Sequence, residues 1–209
     1  MDKRITEFSE LIQIASNDVF AIVDVSENIT KKLNYQNLVN NITGSLPSGL
    51  GGSGLGWARY DDSQYTTATP LAISASQQVI LPNNGNTTIE TYMNSSVDFY
   101  NPSTQKVQME NVGDVYNMVV VFKAKSSNAN QTHLELAMSS TGATPYERVS
   151  QSLLFAKGND VWQNFYLNFS FYSDADFVTN GNTWKLSAVG GPLDVADVIY
   201  FIQRTFNAG

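Results

Sequence analysis

Residues 161–172 restrict the fold of this chain more than any other stretch. Phe165, Leu167, Phe169 and Phe171 fall at every second position, with Tyr166, Asn168, Ser170 and Tyr172 between them. A period of two is the signature of a β-strand with one apolar face, and aromatic residues favour that setting. Four large apolar residues on one face predict a central core strand. The same period recurs at Leu134, Leu136 and Met138. In 115–125 it is stronger still: Met118, Val120, Phe122 and Ala124 point one way, Val119 and Val121 the other. A strand apolar on both sides is covered on both sides. Either the two layers of one sandwich plus a loop provide the cover, or a core covers one face and a neighbouring subunit the other.

Shorter strand signals stand at 57–60, 70–74, 77–81, 97–100, 106–109, 148–157 and 183–189, and a near-continuous apolar run closes the chain at 194–205. Turn clusters separate them at Pro82-Asn-Asn-Gly-Asn86, Gly158-Asn-Asp160, Asn180-Gly-Asn182 and Gly190-Gly-Pro192. Eight to ten short strands with regular turns indicate an antiparallel β-sandwich of jelly-roll type over 57–209. No helix longer than two turns is expected there.

Ahead of this head lies a glycine-rich stretch, residues 44–56, in which six of thirteen residues are glycine. Ordering glycine costs the most backbone entropy, so the stretch reads as a flexible linker. A surface loop within one domain is the other reading, but composition and periodicity both change across it. It ends without the Gly-Lys-Ser/Thr of a phosphate loop. Residues 1–43 read as a small separate module. A strand is expected at 18–24 and its returning partner at 29–33. Asn34 is suited to cap a two-turn helix with the stripe Tyr35, Leu38, Val39 and Ile42. A short helix or extended arm is expected at 6–14. So small a module has little core of its own and is expected to dock on another protein or on copies of itself, packing on the β head being the other reading.

Composition narrows the function. A net charge of −7 argues against binding a phosphate backbone. The chain has no cysteine and one histidine, His133, so disulfides, thiolate catalysis and a His-rich metal site are not expected. Residues 1–10 lack the apolar core of an export signal, and no apolar run has the length of a membrane span, so synthesis in a cytoplasm without membrane insertion is expected. The carboxylate pairs Asp61/Asp62 and Asp174/Asp176 read as solvated turns, with a loop calcium site as the functional alternative. Neither a catalytic residue nor a cofactor is expected. Tyr92, Tyr100, Tyr146, Tyr166 and Tyr172 are candidate surface aromatics for stacking on sugars.

Two further readings come from resemblance. Arg4-Ile-Thr-Glu-Phe8, the segment 18–26 and Thr30-Lys-Lys-Leu33 resemble, in order and spacing, the amino-terminal module of bacteriophage virion proteins such as head and tail fibres. This implies that residues 1–43 anchor the chain to a capsid or tail protein, with Phe20, Ile22, Val23, Lys31 and Leu33 as the anchoring residues. Phe8 departs from the leucine often found there. Trp57, Tyr60, Gln64-Tyr-Thr66, Pro70-Leu71, Leu81-Pro-Asn-Asn-Gly85, Phe122-Lys-Ala-Lys125 and 199–206 resemble a carboxy-terminal domain of phage particle proteins. That resemblance implies a jelly roll broadly like the tumour-necrosis-factor fold, assembled as a homotrimer. Val119, Val121, Tyr200 and Ile202 are then expected in the trimer interface or the core. The implied role is a non-enzymatic fibre or decoration subunit on the virion, with a glycan-binding receptor module as the alternative.

Overall fold

The computed structural model describes residues 19–24, 29–34, 55–126, 128, 133–154 and 160–209. The chain divides into two compact units, residues 1–47 and 48–209. In the first, β1 (Val19–Asp24) and β2 (Ile29–Asn34) form an antiparallel hairpin in continuous register from Val19↔Asn34 to Asp24↔Ile29. Asn34, expected as a helix cap, is the last residue of β2. The helix expected after it and the arm expected at 6–14 lie outside the described residues, as does most of the glycine stretch. Gly56, the last glycine of that stretch, belongs to the head: it opens β3 (Gly56–Asp61). A Cβ there would collide with the carbonyl oxygens of Tyr92 and Met93, so only glycine lets the two backbones meet.

The second unit is two antiparallel sheets packed face to face. One runs in the order β11 (Glu147–Leu154), β10 (His133–Ser140), β13 (Asn182–Val189), β8 (Lys106–Val107), β7 (Tyr100–Asn101), with β5 (Gln78–Ile80) also paired to β13. The other runs β12 (Gln163–Tyr172), β9 (Val115–Lys125), β14 (Leu193–Phe206), β3, β6 (Thr87–Ile89), with β4 (Leu71–Ile73) also paired to β14. The chain changes sheet between β9 and β10, β11 and β12, β12 and β13, and β13 and β14. This alternation is a jelly roll, the fold expected.

The two-residue alternation sets the core. Met118, Val120, Phe122 and Ala124 of β9 are buried beside Phe165, Leu167, Phe169 and Phe171 of β12. They face Leu134, Leu136 and Met138 of β10 and Trp184 and Leu186 of β13. Phe169 and Trp184 meet across the layers at 4.6 Å between ring centroids. β12 is nevertheless an edge strand, not a central one. Alternation reports which face is buried and is silent on how many neighbours a strand has.

The apolar run in β14 is resolved by a bulge. Asp197 adopts φ 54, and register shifts between Ala196 and Ile199. Before it Leu193 and Val195 face the core; after it Val198, Tyr200 and Ile202 do. The extra residue changes the phase of the strand, and aspartate tolerates the left-handed conformation better than most side chains. The strand expected at 97–100 is shorter and later, at Tyr100–Asn101, and that expected at 106–109 stops at Val107. The six-residue helix α1 (Ala175–Asn180), capped by Asp174 through the Phe177 amide, was not expected from the sequence.

Candidate functional site

The outward surface of the β12-β9-β14-β3 sheet is made by the residues that alternate with the core. Register aligns them in rows: Tyr166, Val121, Ile199 and Asp61; then Asn168, Val119, Phe201 and Arg59; then Ser170, Asn117, Gln203 and Trp57. Val119, Val121, Ile199 and Phe201 form the middle of this surface, each half-buried by its neighbours. Trp57 stacks on Phe201 at 5.4 Å and on Tyr92 at 5.1 Å, extending the apolar patch toward β3. Tyr166, 73 % exposed, closes it on the β12 side. Polar groups surround it: Asn164, Asn168, Asn117, Gln203, an ion pair of Lys123 with Asp197 at 2.8 Å, and one of Arg59 with Asp61 at 2.8 Å. An apolar centre with a polar rim is the anatomy of a protein–protein interface.

A second feature lies at one end of the edge strands. Tyr146 to Val149, entering β11, and Ser170 to Tyr172, leaving β12, line a cavity of about 250 Å³ together with Asp174. The Arg148 guanidinium carbon sits 4.8 Å from the Tyr146 ring centre and 4.8 Å from that of Phe177. Its Nη1 and Nη2 donate to the two oxygens of Asp174 at 2.7 Å each, and Nε donates to Asn182 at 3.1 Å. The Tyr146 hydroxyl donates to Asp174 at 2.8 Å. The Arg148 guanidinium first, then the Phe177 amide and the Tyr146 hydroxyl, hold the Asp174 carboxyl well below the usual carboxylate range against the opposing effect of burial.

A third cluster lies under the chain end. Arg204 is 1 % exposed and donates to Glu110 and, at 3.2 Å, to Asp114, which is fully buried. Burial pushes the Glu110 carboxyl up, but hydrogen bonds from Ser96 and Arg204 outweigh it and leave it at about 2. Glu110 and Asp174 both have folded-state pKa values below their unfolded ones. Their stabilisation is therefore complete above the ordinary carboxylate range of about 4. It is lost as pH falls through the folded values. Thermal unfolding followed by circular dichroism should give a melting temperature that is flat from pH 7 to about 5 and falls steadily below about 4. Glu110→Gln should flatten part of that slope.

The residues expected to act from sequence sort into different places. Val119 and Val121 are on the outward face, whereas Tyr200 and Ile202 are fully buried core residues. Tyr100, expected at the surface, is 1 % exposed; its hydroxyl donates to the Asn83 carbonyl at 3.0 Å. Tyr146 and Tyr172 come together at the cavity, while Tyr92 and Tyr166 belong to the sheet face. His133 opens β10. Asp174 and Asp176 are held by Arg148, and Asp62 accepts the Tyr65 and Asn84 amides at 2.8 and 2.9 Å, so neither pair is a merely solvated turn. Among the described residues no group of three or more acidic or histidine side chains is placed to hold a metal ion. Phe20, Ile22 and Val23 stand opposite Leu33, Lys31 and Thr30 in the hairpin register. Arg148 and Arg204 carried no sequence signal, because their partners lie 26 and at least 90 residues away.

The chain matches no protein-family model, and no curated protein is similar to it in sequence. Among solved structures it is similar to the Eiger tumour necrosis factor from S. frugiperda, at 10 % identity and a TM-score of 0.46, covering 75 % of this chain and 96 % of that one. It is similar to a PRD1 vertex protein at 13 % identity and a TM-score of 0.43, covering 73 % of this chain and 97 % of that one. It is similar to a family 16 carbohydrate binding module at 13 % identity and a TM-score of 0.33, covering 65 % and 78 %. Each is a likeness in fold at most and carries no residue roles.

Proposed function

We propose that this chain is a non-enzymatic bacteriophage virion protein, a fibre or decoration subunit. Residues 1–43 fasten it to a capsid or tail protein, and the jelly-roll head assembles as a homotrimer that is displayed outward. The observation that carries the reading is the apolar middle of the sheet face, formed by Val119, Val121, Ile199 and Phe201 with Trp57 and Tyr166 beside it. A ring of three copies needs two different surfaces on each protomer, because one surface must meet the other around the axis. Away from that face the head exposes two further apolar side chains, Leu154 at 88 % and Val161 at 54 %. The amino-terminal resemblance to virion anchors supplies the attachment.

A structural role is also supported by the state of the acidic groups. Asp174, Asp176, Glu110 and Asp114 are each ion-paired with an arginine of the same protomer, which ties these carboxylates into the fold. No helix among the described residues is long and apolar enough to cross a membrane.

Deleting residues 1–43 should leave a head that folds and associates like the full chain but is absent from purified particles when it replaces the full chain. The comparison is made by blotting particles assembled with each form. Truncated heads found on particles at the full-length level would contradict anchoring through residues 1–43.

A further inference from the structure

We propose that the cleft between Tyr146 and Tyr172 binds a single neutral sugar residue of a glycan. Its use as a receptor contact rests on the outward display of the head; the binding itself does not.

The cleft exists because β11 and β12 are the outer strands of different sheets and do not pair with each other. Its volume, about 250 Å³, is below the roughly 300–1,000 Å³ typical of pockets for drug-sized ligands. It therefore takes one hexose ring and leaves the rest of an oligosaccharide outside.

A sugar ring has an apolar C–H face and a rim of hydroxyls, so a site for it needs an aromatic plane and fixed polar groups beside it. Tyr146 provides the plane. One face of its ring is backed by the Arg148 guanidinium, and the residue lines the cleft while remaining 45 % exposed. Its orientation is set before a ligand arrives, because its hydroxyl is bonded to Asp174 and Asp174 is clamped by Arg148. Such preorganisation lowers the entropy cost of binding. Tyr172, 67 % exposed, forms the other lip.

The polar chemistry specifies a neutral ligand. Arg148 has Nε committed to Asn182, Nη1 to Asp174, and Nη2 to Asp174 and Asp176. These bonds engage four of the five guanidinium N–H groups and leave one on Nη1, so no pair of donors remains for a bidentate carboxylate or phosphate. Asp174 accepts four bonds, from Nη1, Nη2, the Tyr146 hydroxyl and the Phe177 amide, which fills its acceptor sites. The groups left for a ligand are the lone pairs of the Tyr146 phenol, the Tyr172 hydroxyl and the exposed carboxylate of Glu147. These accept from sugar hydroxyls and repel anionic sugars.

The test is saturation-transfer NMR on the full chain with methyl glycosides of glucose, galactose, mannose and N-acetylglucosamine, and with a methyl sialoside, each at millimolar concentration. At least one neutral glycoside should show transfer and the sialoside none. Tyr172→Ala should weaken binding at least tenfold. Ile80→Ala, which removes an exposed side chain on β5 that lines neither the cleft nor the sheet face, should leave it unchanged. No transfer to any neutral glycoside, transfer unaltered in Tyr172→Ala, or a preference for the sialoside would each overturn the assignment. Molar mass measured on the same samples separates the two readings. A monomer that binds sugar contradicts the trimer alone, and a trimer that binds no neutral sugar contradicts the cleft alone.

Discussion

Replacing Val121 by aspartate should convert the associated head into a folded monomer. Val121 sits in the middle of the sheet face, with Tyr166 on one cross-strand side and Ile199 on the other. Within one protomer it is half-buried and outward-facing, so a polar residue there costs no more than about 1 kcal/mol of strand preference. In the proposed trimer the same carboxylate would be taken out of water without a partner. An unpaired buried charge costs several kcal/mol, and the ring repeats that cost at each of its interfaces. Val121→Thr keeps the shape and strand preference and serves as the control. Light scattering after gel filtration should give one third of the wild-type mass for the aspartate variant and an undiminished near-ultraviolet dichroism. Wild-type mass in Val121→Asp would remove this face from the interface.

The second large effect is expected at Arg204. Its guanidinium donates to Glu110, to Asp114 and to the Asn94 carbonyl at 2.7 Å, and lies 5.8 Å from the Phe99 ring centre. Asp114 is fully buried and also accepts from Tyr116 at 2.9 Å and from the Ala208 amide at 2.8 Å. In Arg204→Met the stem still packs, but the buried Asp114 carboxyl group loses its cationic partner. Removing one partner of a buried pair costs about 3–5 kcal/mol. For a domain of this size that lowers the melting temperature on the order of 10 °C. Arg204→Met with Asp114→Asn should recover part of the loss, because the unpartnered carboxyl group is gone. Urea unfolding of the two variants measures both effects. A single-variant loss under 1 kcal/mol would mean that water reaches Asp114.

Much of the jelly roll is legible in the sequence because burial in a sandwich imposes a period of two. The core residues of β9, β10 and β12 are those that the alternation marks. The pattern cannot assign a strand to a sheet or to an edge, since the pairing partner lies far along the chain. For that reason β12 reads as central. Tyr100 reads as a surface aromatic because a tyrosine is apolar enough for the core once its hydroxyl finds the Asn83 carbonyl. The bulge at Asp197 is hidden within an apolar run that looks continuous. Arg148 with Asp174, and Arg204 with Asp114, are long-range pairs whose charges resemble any surface charge in one dimension. The sheet face was half legible: Val119 and Val121 stand out as apolar residues on the wrong side of β9, whereas the contribution of Trp57 and Tyr92 depends on the pairing of β3 with β14. The amino-terminal hairpin is legible as two strands, and the attachment role proposed for it comes from resemblance alone.

Light scattering of the full chain across micromolar concentrations bears most directly on assembly through this face. A mass of three chains, constant on dilution and lost in Val121→Asp, is the expected result. A mass of one chain over the whole range would contradict it.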